Sequence, residues 1–249
     1  MCHTTDSRPP AAPHPGTVAR QEVIELTSAD GTAFTGFHAT PAEPRGHSIV
    51  VLPDVRGVHP YYRDLARRFA EAGFATVAFD YYGRTAGLGL RDDGFDWDPH
   101  FQRLVPEQVE RDGVAAIEYI RGRHPGNAVF TVGFCLGGGH SWRLSGAGAG
   151  IDGCVGFYGL PGLATDRVND FSAPLLMLLA GNDVATSPQD FAAFRHRLDD
   201  AGKAYEHRVY DGAPHSFFDR AAPEWADACD DAWRRLLEFT ERHGAKASA

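Results

Sequence analysis

The residues best suited to chemistry lie in the string Ala128-Val-Phe-Thr-Val-Gly133-Phe-Cys135-Leu-Gly137-Gly138-Gly139. A short apolar run leads into Gly-x-Cys-x-Gly-Gly. A nucleophile on a sharp strand-to-helix turn sits in a strained backbone conformation, and a Cβ two residues before or after it would collide with the turn. Gly133 and Gly137 occupy those two places. The same turn sets Cys135 at a helix start, where unpaired N–H groups and the positive dipole end favour a thiolate or an oxyanion. The plainer reading is an inert cysteine in a Gly-rich turn, since free cysteine is among the most buried residue types. No Gly-Lys-Ser/Thr follows, which excludes a phosphate-binding loop of that kind.

Two later residues turn the string into a constellation. Leu175–Ala180 runs into Gly181-Asn182-Asp183, and Tyr205–Tyr210 runs into Asp211-Gly-Ala-Pro-His215-Ser-Phe-Phe. Taken singly, Asp183 reads as a turn residue and His215 as one of twelve histidines. Taken together, nucleophile, acid and histidine each follow their own strand, at intervals of 48 and 32 residues. A base oriented by a carboxylate is what an unactivated thiol or hydroxyl needs for acyl transfer.

The elements that must position these residues are legible in outline. Glu22–Leu26 and Phe34–His38 flank Ala29-Asp30-Gly31 as a hairpin, and Ser48–Leu52, Ala75–Phe79 and Ala128–Val132 are short, mostly apolar runs expected of buried strands. Val155–Tyr158, Leu175–Ala180 and Tyr205–Tyr210 supply three more strands. Helical periodicity marks Tyr61–Ala72 and Glu107–Arg121, with further helices at about Pro188–Ala201 and Glu224–Arg242. The run Gly133–Gly139 reads as a turn, with helix at His140–Leu144, and Tyr81–Leu104 reads as a long surface excursion. Two hairpin strands followed by repeated strand–helix units predict an α/β protein, with a mostly parallel sheet of about eight strands covered on both faces. Strand order with nucleophile, acid, histidine is that of the α/β-hydrolase fold.

Composition sets the outer bounds. The chain of 249 residues suits one large domain, expected over 21–245, after a Pro-rich disordered tail at 1–20 without a signal-peptide core. A net charge of −9 argues against nucleic acid or an anionic membrane as partner. Four cysteines without zinc-like spacing suggest reduced thiols, a cytoplasmic location, and no metal or organic cofactor. A monomer or small homo-oligomer acting on a small molecule is the expectation.

Over nearly the whole chain after the tail, the sequence resembles the dienelactone hydrolase (carboxymethylenebutenolidase) family. The resemblance is carried by Gly-Phe-Cys135-Leu-Gly-Gly, Ala180-Gly-Asn-Asp183, Gly212-Ala-Pro-His215-Ser-Phe, Leu52-Pro-Asp54-Val-Arg-Gly57 and Asp80-Tyr-Tyr-Gly-Arg84. It implies a Cys135–His215–Asp183 triad. It also implies a carboxylate after the third strand that modulates the thiol, here Asp54 where better-known members carry glutamate. The fold assigns oxyanion donors to the backbone N–H groups of Leu136 and Val55. The family further uses two arginines to hold a substrate carboxylate. Arg84 matches the first; at the second place stands Asp219, with Arg220 one residue later. Tyr82, beside Arg84, is a further candidate for substrate contact, and Tyr61, Tyr62, Tyr81, Trp97 and Trp142 are candidates to line the pocket. The expected reaction is cleavage of an ester or lactone through a thioester. The alternatives are a carboxylesterase or thioesterase for neutral substrates, and a non-catalytic thiol sensor on the same fold.

Overall fold

The computed structural model describes residues 4–244. Eight strands form one sheet: β1 (Val18–Thr27), β2 (Ala33–Pro41), β3 (His47–Leu52), β4 (Ala75–Phe79), β5 (Ala128–Phe134), β6 (Gly153–Phe157), β7 (Leu175–Asn182) and β8 (Tyr205–Pro214). They lie in the order β1-β2-β4-β3-β5-β6-β7-β8. The hairpin β1–β2 is antiparallel, β2 is antiparallel to β4, and every later pairing is parallel. Parallel neighbours need long crossovers, which the helices supply. These are α1 (Pro60–Glu71), α2 (Gly83–Ala86), α3 (Asp98–Phe101), α4 (Pro106–Arg123), α5 (Leu136–Leu144), α6 (Pro188–Asp200) and α7 (Ala226–Gly244). This is the α/β-hydrolase fold that the strand–helix pattern predicts. Among the described residues, no helix is long and apolar enough to cross a membrane.

The period-two alternation of the central strands divides the core between two faces. Ile49 and Val51 of β3 belong to one cluster with Leu65 and Phe69 of α1 and Trp233 and Leu236 of α7. Val50 and Leu52 belong to another, with Ile117 and Ile120 of α4. A third cluster joins Leu175 and Met177 of β7 to Trp142 of α5 and Phe194 of α6. Each aliphatic side chain so buried contributes about 1.5–3 kcal/mol, which is why these strands read as unbroken apolar runs. Local signals agree with the packing. Pro60 opens α1, and α6 starts on a capping box in which Ser187 and Asp190 satisfy each other's backbone N–H. Because β4 and β5 lie on opposite sides of β3, the crossovers reverse direction there, which makes the carboxyl ends of β3 and β5 the place where open α/β sheets bind ligands.

Three expectations need correction. The tail is not loose within the described residues: Ser7 and Ala12 are buried, the Gly16 N–H donates to the Glu71 carbonyl at 2.8 Å, and β1 begins at Val18. Prolines reduce the freedom of the unbound chain, so a short strip of contacts suffices to hold such a segment. Residues 1–3 and Ala245 lie outside the described residues. Next, α5 starts at Leu136, with the glycines inside its first turns. Intrinsic propensity disfavours that by about 1 kcal/mol per glycine, but tertiary approach overrides it. Finally, the 81–104 excursion is anchored: Tyr81 and Tyr82 are fully buried, and Arg91 pairs with buried Asp80 at 2.8 Å.

Candidate active site

The elbow forms where its glycines predict it. Cys135 has φ 55° and ψ −117°, directly after β5 and at the N-cap of α5. Its N–H donates to the Phe157 carbonyl at 3.0 Å, and its own carbonyl accepts from the Gly138 N–H at 3.0 Å. A Cβ on Gly133 would stand 1.9 Å from the Gly137 carbonyl oxygen, and one on Gly137 would stand 2.0 Å from that of Leu52. No side chain fits either place. The helix start presses against the end of β3, which brings the Leu136 amide, whose N1 position has no intrahelical acceptor, close to the loop Pro53-Asp54-Val55. The Val55 peptide is held from behind, because the Tyr82 hydroxyl donates to its carbonyl.

Strands β7 and β8 bring the other two groups together. The sequence suggests ends at Ala180 and Tyr210. Both strands run on, through an irregularity between Ala180 and Asn182, until Asn182 pairs with Pro214. Asp183 and His215 are the next residues of each strand. Nδ1 of His215 lies 2.9 Å and 3.0 Å from the two oxygens of Asp183. The carboxylate also accepts the N–H groups of Ala185 at 2.7 Å and Thr186 at 3.2 Å. A carboxylate only accepts, so Nδ1 carries the proton and Nε2 is left as an acceptor. Nε2 is buried and has no hydrogen-bond partner among the described residues. The Tyr158 ring packs 4.9 Å from the imidazole, on a backbone with φ 37°.

Asp54 is buried after β3, and its carboxylate is gripped by Arg56. The guanidinium reaches one oxygen at 3.0 Å through Nη2, and the Arg56 N–H reaches the other at 2.9 Å. The Tyr81 hydroxyl donates to the Pro53 carbonyl at 2.6 Å. Burial raises the Tyr81 phenol well above its ordinary range, and the neighbouring Tyr82, Asp54 and Cys135 push it further in turn. One ring thus senses both the carboxylate and the thiol. Elsewhere, burial pushes the Cys154 thiol up to about 12 and the Cys229 thiol up to about 11.

The substrate contacts expected of Arg84, Tyr82 and Arg220 are not what these side chains make. Arg84 pairs with Asp30 at 2.8 Å and Asp112 at 2.5 Å and also reaches Ser28 and Thr32, which ties the hairpin turn to α4. Two acidic neighbours capture its fork, which sequence adjacency to Tyr82 cannot reveal. Tyr82 is fully buried behind Val55. Arg220 is exposed, and its backbone N–H donates to the Arg8 carbonyl at 2.8 Å. Tyr61, Tyr62, Tyr81 and Trp142 are likewise fully buried packing residues, and Trp97 is partly buried. Sequence reasoning gave no role to Arg56 or Tyr158. Arg56 is signalled only by its place two residues after a carboxylate at a buried strand's end. Tyr158 is signalled by preceding Gly159 at the end of β6.

Comparisons with known proteins bear on the family of the chain. Residues 34–244 match the profile of the Dienelactone hydrolase family. The chain is 27% identical over 237 residues to the "Putative carboxymethylenebutenolidase" of Escherichia coli (strain K12), covering 88% of this chain and 86% of that one. It is also 27% identical over 209 residues to the "Probable 2-oxo-3-(5-oxofuran-2-ylidene)propanoate lactonase" of a Bradyrhizobium species, covering 79% and 84%. A crystal structure of a "Putative Dienelactone Hydrolase" from Klebsiella pneumoniae superposes with a TM-score of 0.72 at 26% identity, covering 88% of this chain and 98% of that one. The chain belongs to the dienelactone hydrolase family and is a hydrolase of that type.

Proposed function

We propose that this hydrolase cleaves an ester or lactone through a thioester on Cys135. The observation that carries the reading is the buried His215 Nε2. Asp183 fixes it as an acceptor, and the imidazole packs on the ring of Tyr158, which shares a buried cluster with Cys135 at the elbow. The Cys135 sulfur attacks the acyl carbon, and the carbonyl oxygen becomes an oxyanion received by the N–H groups of Leu136 and Val55. Each such donor is worth about 3–4 kcal/mol in the transition state. The C–O bond then breaks and the alcohol or enol leaves with the proton that the thiol gave up on ionising. His215 next takes a proton from water, the hydroxide adds to the thioester, and the thiolate is expelled and reprotonated. Asp54, paired with Arg56, sets the field in which the thiol ionises. A thiolate is a good leaving group, so the site suits esters and enol lactones better than amides.

The relatives' names include a lactonase, which points to lactones as one substrate class. A second reading, hydrolysis of neutral esters, is favoured by the pairing of Arg84 with Asp30 and Asp112 and by the exposure of Arg220.

The test is a panel of esters and lactones with and without a carboxylate beside the scissile bond. It is combined with intact-mass detection of the acyl-enzyme. Cys135→Ala is expected to lose turnover and adduct together. His215→Ala is expected to accumulate an acyl group mapped to Cys135. Turnover at the wild-type rate in Cys135→Ala overturns the proposal, and preference for neutral members selects the second reading.

A further inference from the structure

The segment from Thr4 to Thr17 is joined to the loop that carries His215 by two reciprocal contacts. The Arg8 N–H donates to Oδ1 of Asp219 at 2.9 Å, and the Arg220 N–H donates to the Arg8 carbonyl at 2.8 Å. Further along the chain, the Gly16 N–H binds the carbonyl of Glu71 at the far end of α1. The arm therefore reaches from the active-site end of α1 to its opposite end. Pro9, Pro10 and Ala12 are buried along the way, and Ala12 joins the cluster that contains Phe217, Phe218 and Cys135.

The loop needs such support. Ser216, next to the catalytic imidazole, is held at φ 68°, a left-handed conformation that a non-glycine residue keeps only when its surroundings over-determine it. Only three residues separate His215 from Asp219. Oδ1 of Asp219 also accepts the Ala221 N–H at 2.9 Å, the Tyr61 hydroxyl donates to the Phe218 carbonyl, and the Cys229 thiol donates to the Phe217 carbonyl at 3.4 Å. Three elements distant in sequence thus grip three consecutive residues after Ser216.

We propose that the N-terminal arm is part of the catalytic apparatus, with Asp219 as the positioning residue that anchors it and so holds the His215 loop in register. This rests on the role given to His215 above. Released from the arm, Ser216 relaxes toward ordinary backbone geometry and the imidazole shifts. A displacement of about 1 Å lowers rates by about 100-fold. Water activation, which depends on His215, is then the step that slows, while attack by a thiolate already formed is less affected.

The test compares Asp219→Ala with Asp219→Asn, because asparagine keeps an Oδ1 acceptor for both N–H groups. Asp219→Ala is expected to lower kcat on p-nitrophenyl acetate at least tenfold, with KM falling alongside it so that kcat/KM is nearly unchanged, and with a pre-steady-state burst approaching one equivalent. Asp219→Asn is expected to recover most of kcat. Arg8→Ala and Arg8→Pro both lose the side chain but differ in the amide N–H, so the proline variant is expected to be the slower. Wild-type kcat in Asp219→Ala, or Asp219→Asn as impaired as Asp219→Ala, overturns the inference. If Cys135→Ala remains active, the thioester reading fails separately, and the Asp219 pair still reports on the arm.

Discussion

Gly137→Ala makes the sharpest demand on the fold. The added Cβ would lie 2.0 Å from the Leu52 carbonyl oxygen and 2.3 Å from that of Pro53. Both are backbone atoms at the end of β3, so no side-chain rotation relieves the clash. Restoring an ordinary contact of at least ~3 Å requires the start of α5 and the end of β3 to part by about 1 Å. Leu136 lies on one side of that seam and Val55 on the other, so the two proposed oxyanion donors separate by the same amount. Overpacking of this kind costs about 1–3 kcal/mol of stability. Misplacement on that scale lowers turnover by about 100-fold. The expected result is a folded protein with a lower Tm and kcat/KM for a neutral ester reduced about 100-fold, measured by thermal scan and steady-state hydrolysis. Gly122→Ala in α4 is the control. A Cβ there meets nothing within 4 Å, and the change is expected to stabilise by up to ~1 kcal/mol without touching the rate. Activity within threefold of wild type in Gly137→Ala, with Tm unchanged, refutes the reasoning.

Asp183→Asn leaves the shape but lets Nδ1 of His215 become the acceptor, so the wrong nitrogen faces the reacting atoms; kcat is expected to fall by roughly 10³–10⁴, read by hydrolysis of p-nitrophenyl acetate. Arg84→Ala leaves the buried Asp112 carboxylate without its guanidinium and is expected to destabilise by roughly 3 kcal/mol. It should leave the ratio of rates on anionic and neutral esters unchanged, and a selective loss on anionic esters would return Arg84 to the substrate site. Burial holds the His38 pKa down to about 4, with His124 adding to it, and holds His140 down to about 3, with Arg143 adding to it. The unfolded chain takes up these protons below about 6.5 while the folded chain does not, so stability falls as pH drops from there toward 4, by up to about 1.4 kcal/mol per pH unit for each histidine. Urea midpoints measured between pH 7 and 4.5 check the slope, and a flat profile contradicts it.

The sequence by itself determined the fold and the triad candidates, because both rest on short-range pattern. Runs such as Ser48–Leu52 are apolar on both alternating faces, and a strand of that kind has to lie inside a covered sheet. Gly133, Cys135 and Gly137 mark the elbow, since only glycine tolerates backbone at 2 Å from its absent Cβ. Asp183 and His215 follow strands in a fixed order. Charge pairing was decided only in three dimensions. The fork of Arg84 closes on Asp30 and Asp112, which lie 54 and 28 residues away, and the family's pattern gave no sign of that capture. Two more features were tertiary decisions: the irregularity that carries β7 to Asn182, and the docking of a Pro-rich segment on the His215 loop. In each case the deciding interaction joins residues far apart in the chain, and packing outweighed the local preference that sequence periodicity reports.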